Sequence, residues 1–237
     1  DMSKYLDSGN EARIKKAYES RDPRLQMAII TPYAQYNGAS SGIAHTYTLR
    51  WPYRGSDSAE PFDIRTDTND KFYYLWRKFV PEGLEQTERD TYGLDIPLIR
   101  YAEVLLLKAE ALNEWGSTHE SEAIRCVNEV RRRAGHVELN NATYPATKVN
   151  GQSDLRERIR NEYYWEIGGE DSMYFHELRW GTWKDKKFDN NRNGLMQMWG
   201  ETTYTWYWLG DQCWSWPIPA KEMEMNSNLE QNEGWIN

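Results

Sequence analysis

Apolar side chains recur at helical spacing along two consecutive segments in the middle of the chain. The first segment holds Ile99, Ala102, Leu105, Leu106, Ala109 and Leu112, and the second holds Ala123, Cys126, Val127, Val130 and Ala134. Residues that recur every three or four positions share one face of an α-helix. The pattern therefore predicts two amphipathic helices, each with one buried face.

The predicted ends of these two helices lie close together in the sequence. Pro97 is typical of a first helical turn, and Gly116 is typical of a helix end. Ser117 and Glu120 fit a capping box at the start of the second helix, which ends at Gly135. Because only a few residues join the helices, the sequence predicts an αα-hairpin of tetratricopeptide type.

Further helices and long loops are predicted on either side of this hairpin. The predicted elements are helices at residues 10–20, at 154–167 with Asp154 as its cap, and at 173–180, and a short strand or turn at residues 71–80. Residues 31–70 show no sustained period and are rich in Gly, Ser, Pro, Asp and Tyr, which predicts long irregular loops that could hold a short β-hairpin. The predicted fold class is therefore mainly α, with additional helices and aromatic-rich loops.

Repeats of the tetratricopeptide type bury their faces against neighbouring repeats, and about three or more are needed for stability. The sequence contains no second copy of the hairpin. We therefore expect the neighbours to lie in an N-terminal half that is absent from this chain, unless the later helix and loops take their place.

Composition and charge narrow the range of functions. The net charge of −8 argues against nucleic acid as a partner, since phosphate binding requires clustered Lys and Arg. The longest aliphatic run, Val104–Leu107, is far too short to span a bilayer. Twelve Trp and sixteen Tyr supply much of the apolar surface. Because these rings carry an O–H or N–H group, they are suited to a binding surface that is in contact with water.

Several short motifs, in a fixed order along the chain, resemble those of the SusD/RagB family. They are Arg21–Leu25, Trp76–Phe79, Asp95–Ala111, Asn128–Gly135, Arg179–Gly181, Trp216–Pro219 and Gln231–Trp235. The family usually has an acidic-Gly pair followed by Arg before its Arg-Trp-Gly element. This chain has Gly168-Gly169-Glu170-Asp171-Ser172 instead, which puts the local salt-bridge pattern in doubt.

The resemblance implies a non-catalytic glycan-binding protein whose C-terminal domain corresponds to residues 1–237. It further implies four tetratricopeptide-type units in the complete protein and a position on the outer surface of a Gram-negative outer membrane. A lipid anchor would lie N-terminal to this chain, and the expected partner is a SusC-like TonB-dependent transporter that receives the glycan. No catalytic residue, metal or cofactor is predicted.

Aromatic side chains in the long loop are the candidate glycan site. Sugar rings stack their C–H faces on aromatic rings, and their hydroxyls bind nearby polar groups. The candidate residues are Tyr33, Tyr36, Tyr47, Arg50, Trp51, Tyr53 and Arg54, with Asn37 nearby.

A second aromatic cluster contains Trp199, Tyr204, Trp206, Tyr207, Trp208, Trp214 and Trp216, whose alternation indicates a hairpin with one face in the core. The resemblance suggests a structural role for Trp216, which precedes a Pro-Ile-Pro segment. In the complete protein, Trp51→Ala should therefore weaken glycan binding much more than Trp216→Ala, whose loss should cost stability.

Other chemistry has weaker sequence support. Asp189–Gly194 copies the first half of a calcium loop, but position twelve holds Gly200 instead of an acid. The four histidines show no metal-binding spacing, and Cys126 is expected to be a buried thiol. Two alternative functions stay open, namely a glycoside hydrolase fragment that uses two carboxylates and a helical-repeat scaffold that binds protein.

Overall fold

The computed structural model describes residues 11–40, 43–53, 63–67, 75–83, 95–170, 172–188 and 208–235. The chain divides into two compact units, Asp1–Met173 and Tyr174–Asn237. The structure is mainly helical, as predicted, and the described part contains no helix with the length and apolar character needed to cross a membrane.

Three helices form the core of the first unit. Helices α3 (Tyr101–Trp115) and α4 (Glu120–Arg133) form the predicted hairpin, and α5 (Gln152–Ile167) packs against α3. Their apolar faces meet in a core whose fully or nearly fully buried residues include Leu106, Ala109, Ala123, Val127, Leu155, Ile159, Tyr163 and Ile167. The predicted inward stripe of each helix is confirmed over most of its length.

The predicted helix starts need three corrections. Helix α3 begins at Tyr101 rather than at Pro97, and Ile99 lies outside it with an exposed side chain. The capping box is wrong, because Ser117–His119 form a 3₁₀ turn and His119 occupies the N-cap position of α4 without a side-chain hydrogen bond. Asp154 does not cap α5, which begins at Gln152; its carboxylate instead accepts a 2.8 Å hydrogen bond from the backbone N–H of Asn150.

Two further helices and a small sheet precede the hairpin. Helix α1 spans Glu11–Glu19, and α2 spans Pro23–Ala28 with Asp22 as its N-cap, where the carboxylate accepts the Arg24 N–H at 2.9 Å. Strand β1 (Ile29–Ile30) pairs antiparallel with β5 (Leu75–Trp76). The predicted strand or turn at residues 71–80 is thereby confirmed in its described part.

Residues 31–70 are more regular than the sequence predicts. Strands β2 (Gln35–Ser40) and β3 (Ile43–Tyr53) form an antiparallel hairpin, and β4 (Asp63–Asp67) pairs parallel with β3. The short β-hairpin that the sequence allowed is therefore present, whereas irregular loop is the wrong description for most of the described residues in this stretch. The many Gly, Ser and polar residues of this stretch mask the period of two that identifies a strand in a sequence.

A network of mostly buried ion pairs joins α2, the turn after β5, the N-cap residue of α3, helix α4 and helix α5. Five cations, Arg24, Lys78, Arg100, Arg131 and Arg133, share the four carboxylates of Asp22, Glu162, Glu166 and Glu170. Glu162 is fully buried between Arg24 (2.7 Å) and Arg131 (2.8 Å). Glu170, in the segment that departs from the family pattern, pairs with both Arg100 and Lys78, so an ion-pair pattern is present there.

The second unit is short and aromatic. Helix α6 spans Ser172–Arg179, α7 spans Trp183–Lys187 and α8 spans Ala220–Met225. The predicted break at residues 168–169 and the helix that follows are confirmed. A 3₁₀ turn covers Asp211–Trp214, so the described part of the second aromatic cluster is a turn there rather than a strand.

Candidate functional site

Two tyrosines predicted for the glycan site face each other across the β2–β3 hairpin. Tyr36 and Tyr47 are register partners, and both rings lie over Gly38. A Cβ atom added to Gly38 would come within 2.9 Å of the Tyr47 ring and 3.0 Å of the Tyr36 ring. Glycine at this strand position therefore allows the two rings to pack against the backbone.

The turn at residues 77–83 supports β2 from one side. The Tyr36 hydroxyl donates to the carbonyl of Pro81 at 2.6 Å, and the N–H of Gly83 donates to the carbonyl of Asn37 at 2.8 Å. The Glu82 carboxylate accepts the Asn37 N–H at 3.1 Å and also binds the Arg77 guanidinium. These contacts fix the strand relative to the turn, so the tyrosines sit on a rigid element.

Tyr33 adopts an unusual backbone conformation beside this sheet. Its φ angle is +63°, a value that non-glycine residues rarely adopt. The Tyr33 N–H donates to the carbonyl of Leu49 at 2.8 Å, and the Leu49 N–H donates to the carbonyl of Ala34 at 3.0 Å, which ties the turn to β3. Strained conformations of this kind cost about 1–3 kcal/mol and cluster at functional sites. The strained backbone at Tyr33 therefore marks the space beside it as a candidate functional site.

Tyr33 borders a cavity of about 460 Å³ between α1, α2 and β2, which we call the tyrosine cavity. Its lining consists of Lys15, Tyr18, Glu19, Gln26, Thr31, Pro32, Tyr33, Ala34, Gln35, Asn37 and Arg77. The volume falls in the range of small-molecule sites, and the lining combines two aromatic rings with amide, carboxylate and cationic groups. This arrangement can stack a sugar ring and bind its hydroxyls.

Comparison with known proteins places the chain in a family. The sequence model of the SusD family matches residues 3–235. The chain belongs to the SusD family. This confirms the resemblance that the motifs indicate.

Curated relatives of this SusD-family chain are longer than the segment they share with it. It is 32% identical over 139 residues to the SusD-like protein P38 of Formosa agariphila, covering 58% of this chain and 24% of that protein. It is 28% identical over 161 residues to the starch-binding protein SusD of Bacteroides thetaiotaomicron, covering 68% of this chain and 25% of the relative. The matched segment thus spans about a quarter of each curated relative.

Solved structures show the same fold. A SusD-like protein from Bacteroides fragilis superimposes with a TM-score of 0.61 at 23% identity, covering 93% of this chain and 40% of that protein. A SusD-like carbohydrate-binding protein from the same species gives a TM-score of 0.54 at 26% identity, covering 90% of this chain and 42% of that protein. The mainly helical fold of this SusD-family chain is therefore shared with experimentally determined relatives.

The structure brings together only some of the predicted site residues. Tyr33 lines the tyrosine cavity, whereas Tyr36 and Tyr47 lie on the adjoining hairpin and are not part of the lining. Arg50, Trp51 and Tyr53 belong to β3, but their side chains are outside the described part of the structure, as is the whole of Arg54. Their role in glycan binding stays a prediction.

Sequence reasoning missed the α1 and α2 side of the cavity. Lys15, Tyr18 and Glu19 come from α1, and Gln26 comes from α2. A signal was available in α1, where Lys15, Tyr18 and Glu19 follow one another at helical spacing and so share a face. Nothing in the sequence shows that this face meets the loop at Tyr33, because that contact is tertiary.

The second aromatic cluster is partly described. Trp208 and Trp214 lie with ring centroids 5.0 Å apart, and Trp208 also contacts Phe188 edge to face. Trp216 is 75% exposed, so its ring is not buried, and its backbone carbonyl accepts the Asn232 amide at 2.6 Å. Trp199, Tyr204, Trp206 and Tyr207 lie outside the described residues.

The remaining candidate chemistry of this SusD-family chain is limited. Cys126 is buried, as predicted, and burial raises the pKa of its thiol, which disfavours reactivity. Within the described ranges, His, Cys, Asp and Glu side chains form no group of three that could hold a metal ion. The calcium-like loop at Asp189–Gly194 lies outside those ranges.

Proposed function

We propose that the protein is a non-catalytic glycan-binding component of a nutrient-uptake system and that the tyrosine cavity is a binding site. The observation that carries the proposal is the combination of Tyr18 and Tyr33 rings with amide groups around a space of about 460 Å³. Relatives named as starch-binding and carbohydrate-binding proteins support the same class of ligand.

The lining of the cavity favours binding over hydrolysis. Glycoside hydrolysis generally needs two carboxylates on opposite sides of the scissile bond. Glu19 is the single carboxylate among the described residues that line the cavity. The described lining thus offers one of the two carboxylates that such cleavage generally uses, which favours binding.

The proposal includes the cellular setting that the family resemblance implies. The protein would be lipid-anchored at the cell-surface face of the outer membrane and would pass its glycan to a SusC-like TonB-dependent transporter. Fractionation of cells with protease treatment of the intact surface tests the location, and co-purification in mild detergent tests the transporter. Protection of the protein from external protease would contradict a surface position.

Calorimetric titration with oligosaccharides selected from a glycan array tests the binding site. Tyr33→Ala should weaken binding by about 1–3 kcal/mol, the range found for stacking of planar ligands on aromatic side chains. Tyr33→Phe keeps the ring and separates stacking from the hydroxyl. Tyr144→Ala is the matched control, since Tyr144 is an exposed tyrosine at the N-cap of the 3₁₀ turn Pro145–Thr147 and is not part of the cavity lining.

Two results would count against the proposal. Equal affinity of Tyr33→Ala and Tyr144→Ala for every glycan that the protein binds would remove the tyrosine cavity as the site. Release of new reducing ends at an enzyme-like rate, abolished by substitution of one carboxylate, would replace binding by hydrolysis. The same glycan preparation serves both assays.

A further inference from the structure

The buried ion-pair network carries an excess positive charge. Among the residues that the structure describes, its five cations face four carboxylates, all connected through contacts of no more than 4.0 Å. His136 lies 3.6 Å from Asp22 but adds no charge at neutral pH, because burial and the nearby Arg131 lower the pKa of its imidazole. One more anion would balance the network.

The surplus charge is concentrated around Glu166. This carboxylate is bound by Arg24 at 3.1 Å and by Arg100 at 3.0 Å, and it also contacts Arg133. Three guanidinium groups therefore share a single carboxylate. Within the described part of the chain, Glu166 is the one acidic partner of Arg133, whose side chain is 57% exposed. Arg133 can reach a second anion from this position.

A cavity of about 310 Å³ opens beside these groups, and we call it the arginine pocket. Its charged lining consists of Arg24, Lys78, Arg100, Arg133 and Glu166. Three of these four cations also pair with Asp22, Glu162 or Glu170, so the network leaves a surplus of one positive charge beside the pocket. Its volume lies at the lower end of the range for small-ligand sites, which suits a ligand of one or two rings.

The rest of the lining is apolar. Phe79 and Trp165 contribute aromatic rings, and Met27 and Ala28 complete the wall. Phe79 has a φ angle of +63°, a second rare conformation for a large side chain, and its ring lies 5.8 Å from the Lys78 ammonium. An inorganic anion would use the cations but leave the apolar wall in contact with water. A ligand with both an anionic group and a C–H face uses both parts.

We propose that the arginine pocket binds an acidic sugar through its carboxylate, with the sugar ring against the aromatic wall. Arginine side chains bind carboxylates through two parallel hydrogen bonds, and these charge-assisted contacts are about twice as strong as neutral ones. A uronic acid has the required size, the planar carboxylate and an apolar ring face. The pocket is separate from the tyrosine cavity, so the two proposals can fail independently.

Titration of the protein at its full natural length with D-glucuronate and D-galacturonate tests the assignment, with glucose and inorganic sulfate as comparison ligands. Arg133→Gln should weaken uronate binding about tenfold, as expected for loss of one charge-assisted contact. Arg132→Gln is the matched control, because Arg132 is the adjacent residue of α4, is exposed and pairs with Glu138 away from the pocket. It makes the same change in charge and should leave uronate binding unchanged.

A second pair of variants guards against an effect of Arg133 on folding. Met27 lines the pocket but is 74% exposed, so its substitution should leave the fold intact. Met27→Glu places a competing carboxylate at the rim and should abolish uronate binding, whereas Met27→Gln should retain most of it. Thermal melting of all four variants checks that binding changes without unfolding.

The outcomes separate clearly. Uronate binding that is lost in Arg133→Gln and Met27→Glu but kept in their two controls supports the assignment. The absence of uronate binding at millimolar concentrations, or equal losses in Arg133→Gln and Arg132→Gln, overturns it. Equal affinity for glucuronate and sulfate overturns the assignment to a sugar, since the apolar wall would then contribute nothing. Equal affinity for glucose and glucuronate overturns the role of the cations.

Discussion

Glu162 provides the most direct test of how the buried ion pairs stabilise the fold. Its side chain is fully buried on α5 and accepts hydrogen bonds from Arg24 at 2.7 Å and from Arg131 at 2.8 Å. Glu162→Gln keeps the shape and removes the negative charge. Two buried guanidinium groups then lose a shared counter-charge while remaining shielded from water.

The magnitude follows from the contacts that remain. Breaking a buried ion pair by removing one partner costs about 3–5 kcal/mol. Arg24 keeps Asp22 and Glu166, and Arg131 keeps the carbonyl of Val137 at 2.6 Å, so the lower end applies. We expect a loss of about 3 kcal/mol in the free energy of unfolding, a large part of the ~5–15 kcal/mol that stabilises a typical domain.

Urea unfolding at pH 7, followed by far-UV circular dichroism, measures this loss. With a slope of about 2 kcal/mol per molar urea, the midpoint should fall by roughly 1.5 M. Glu157→Gln is the matched control on the same helix, because Glu157 is 59% exposed and pairs with Arg160 at 3.2 Å. This substitution should lower the free energy of unfolding by less than about 0.5 kcal/mol. Equal midpoints for the two variants would refute the inference that the network stabilises the folded state.

Three further predictions follow from the structure. Burial opposes ionisation of Asp22 and Glu166, but hydrogen bonds from arginine outweigh it and lower the pKa of both carboxyls. Their contribution to the free energy of unfolding should therefore be complete at neutral pH and decrease as the pH drops below about 4.5. A constant free energy of unfolding from pH 7 to pH 3 would contradict this. Gly38→Ala forces the Tyr47 ring aside and should lower the free energy of unfolding by about 1–3 kcal/mol, measured by thermal melting. An unchanged melting temperature would show that the ring moves freely. Trp216→Ala should change the free energy of unfolding by less than about 0.5 kcal/mol, because the ring is exposed, and a large loss in chemical denaturation would reveal hidden contacts.

The helical core could be predicted because local spacing determines it. Leu105, Leu106 and Ala109 recur at the helical period, and the glycine at position 116 ends the helix with a φ angle of +138°. Helix starts were harder to predict, since Pro97 is equally compatible with an extended segment before the helix. The β2–β3 hairpin was predicted only as a possibility and without bounds, because its residues lack the strong alternation of a half-buried strand.

The buried carboxylates could have been found in part from the sequence. Glu162 and Glu166 follow Leu155 by seven and eleven residues, which places them on the inward face with Ile159. Acidic residues at inward positions of a helix indicate buried partners, because an unpaired buried charge is very costly. Their partners, however, come from positions 24, 100, 131 and 133, and one sequence cannot show which distant cations meet which carboxylate.

Two short segments, α2 and the turn after β5, contribute residues both to the ion-pair network and to the tyrosine cavity. On α2, Arg24 enters the network and Gln26 lines the cavity; in the turn after β5, Lys78 enters the network and Arg77 lines the cavity. Neighbouring residues on one short element therefore point to the ion pairs and to the candidate binding site. The ion pairs of Arg24 with α5 and of Lys78 with Glu170 hold both segments, so they help to position Gln26 and Arg77 in the cavity lining. The candidate site between α1, α2 and β2 would thus gain part of its rigidity from buried charges in the same segments.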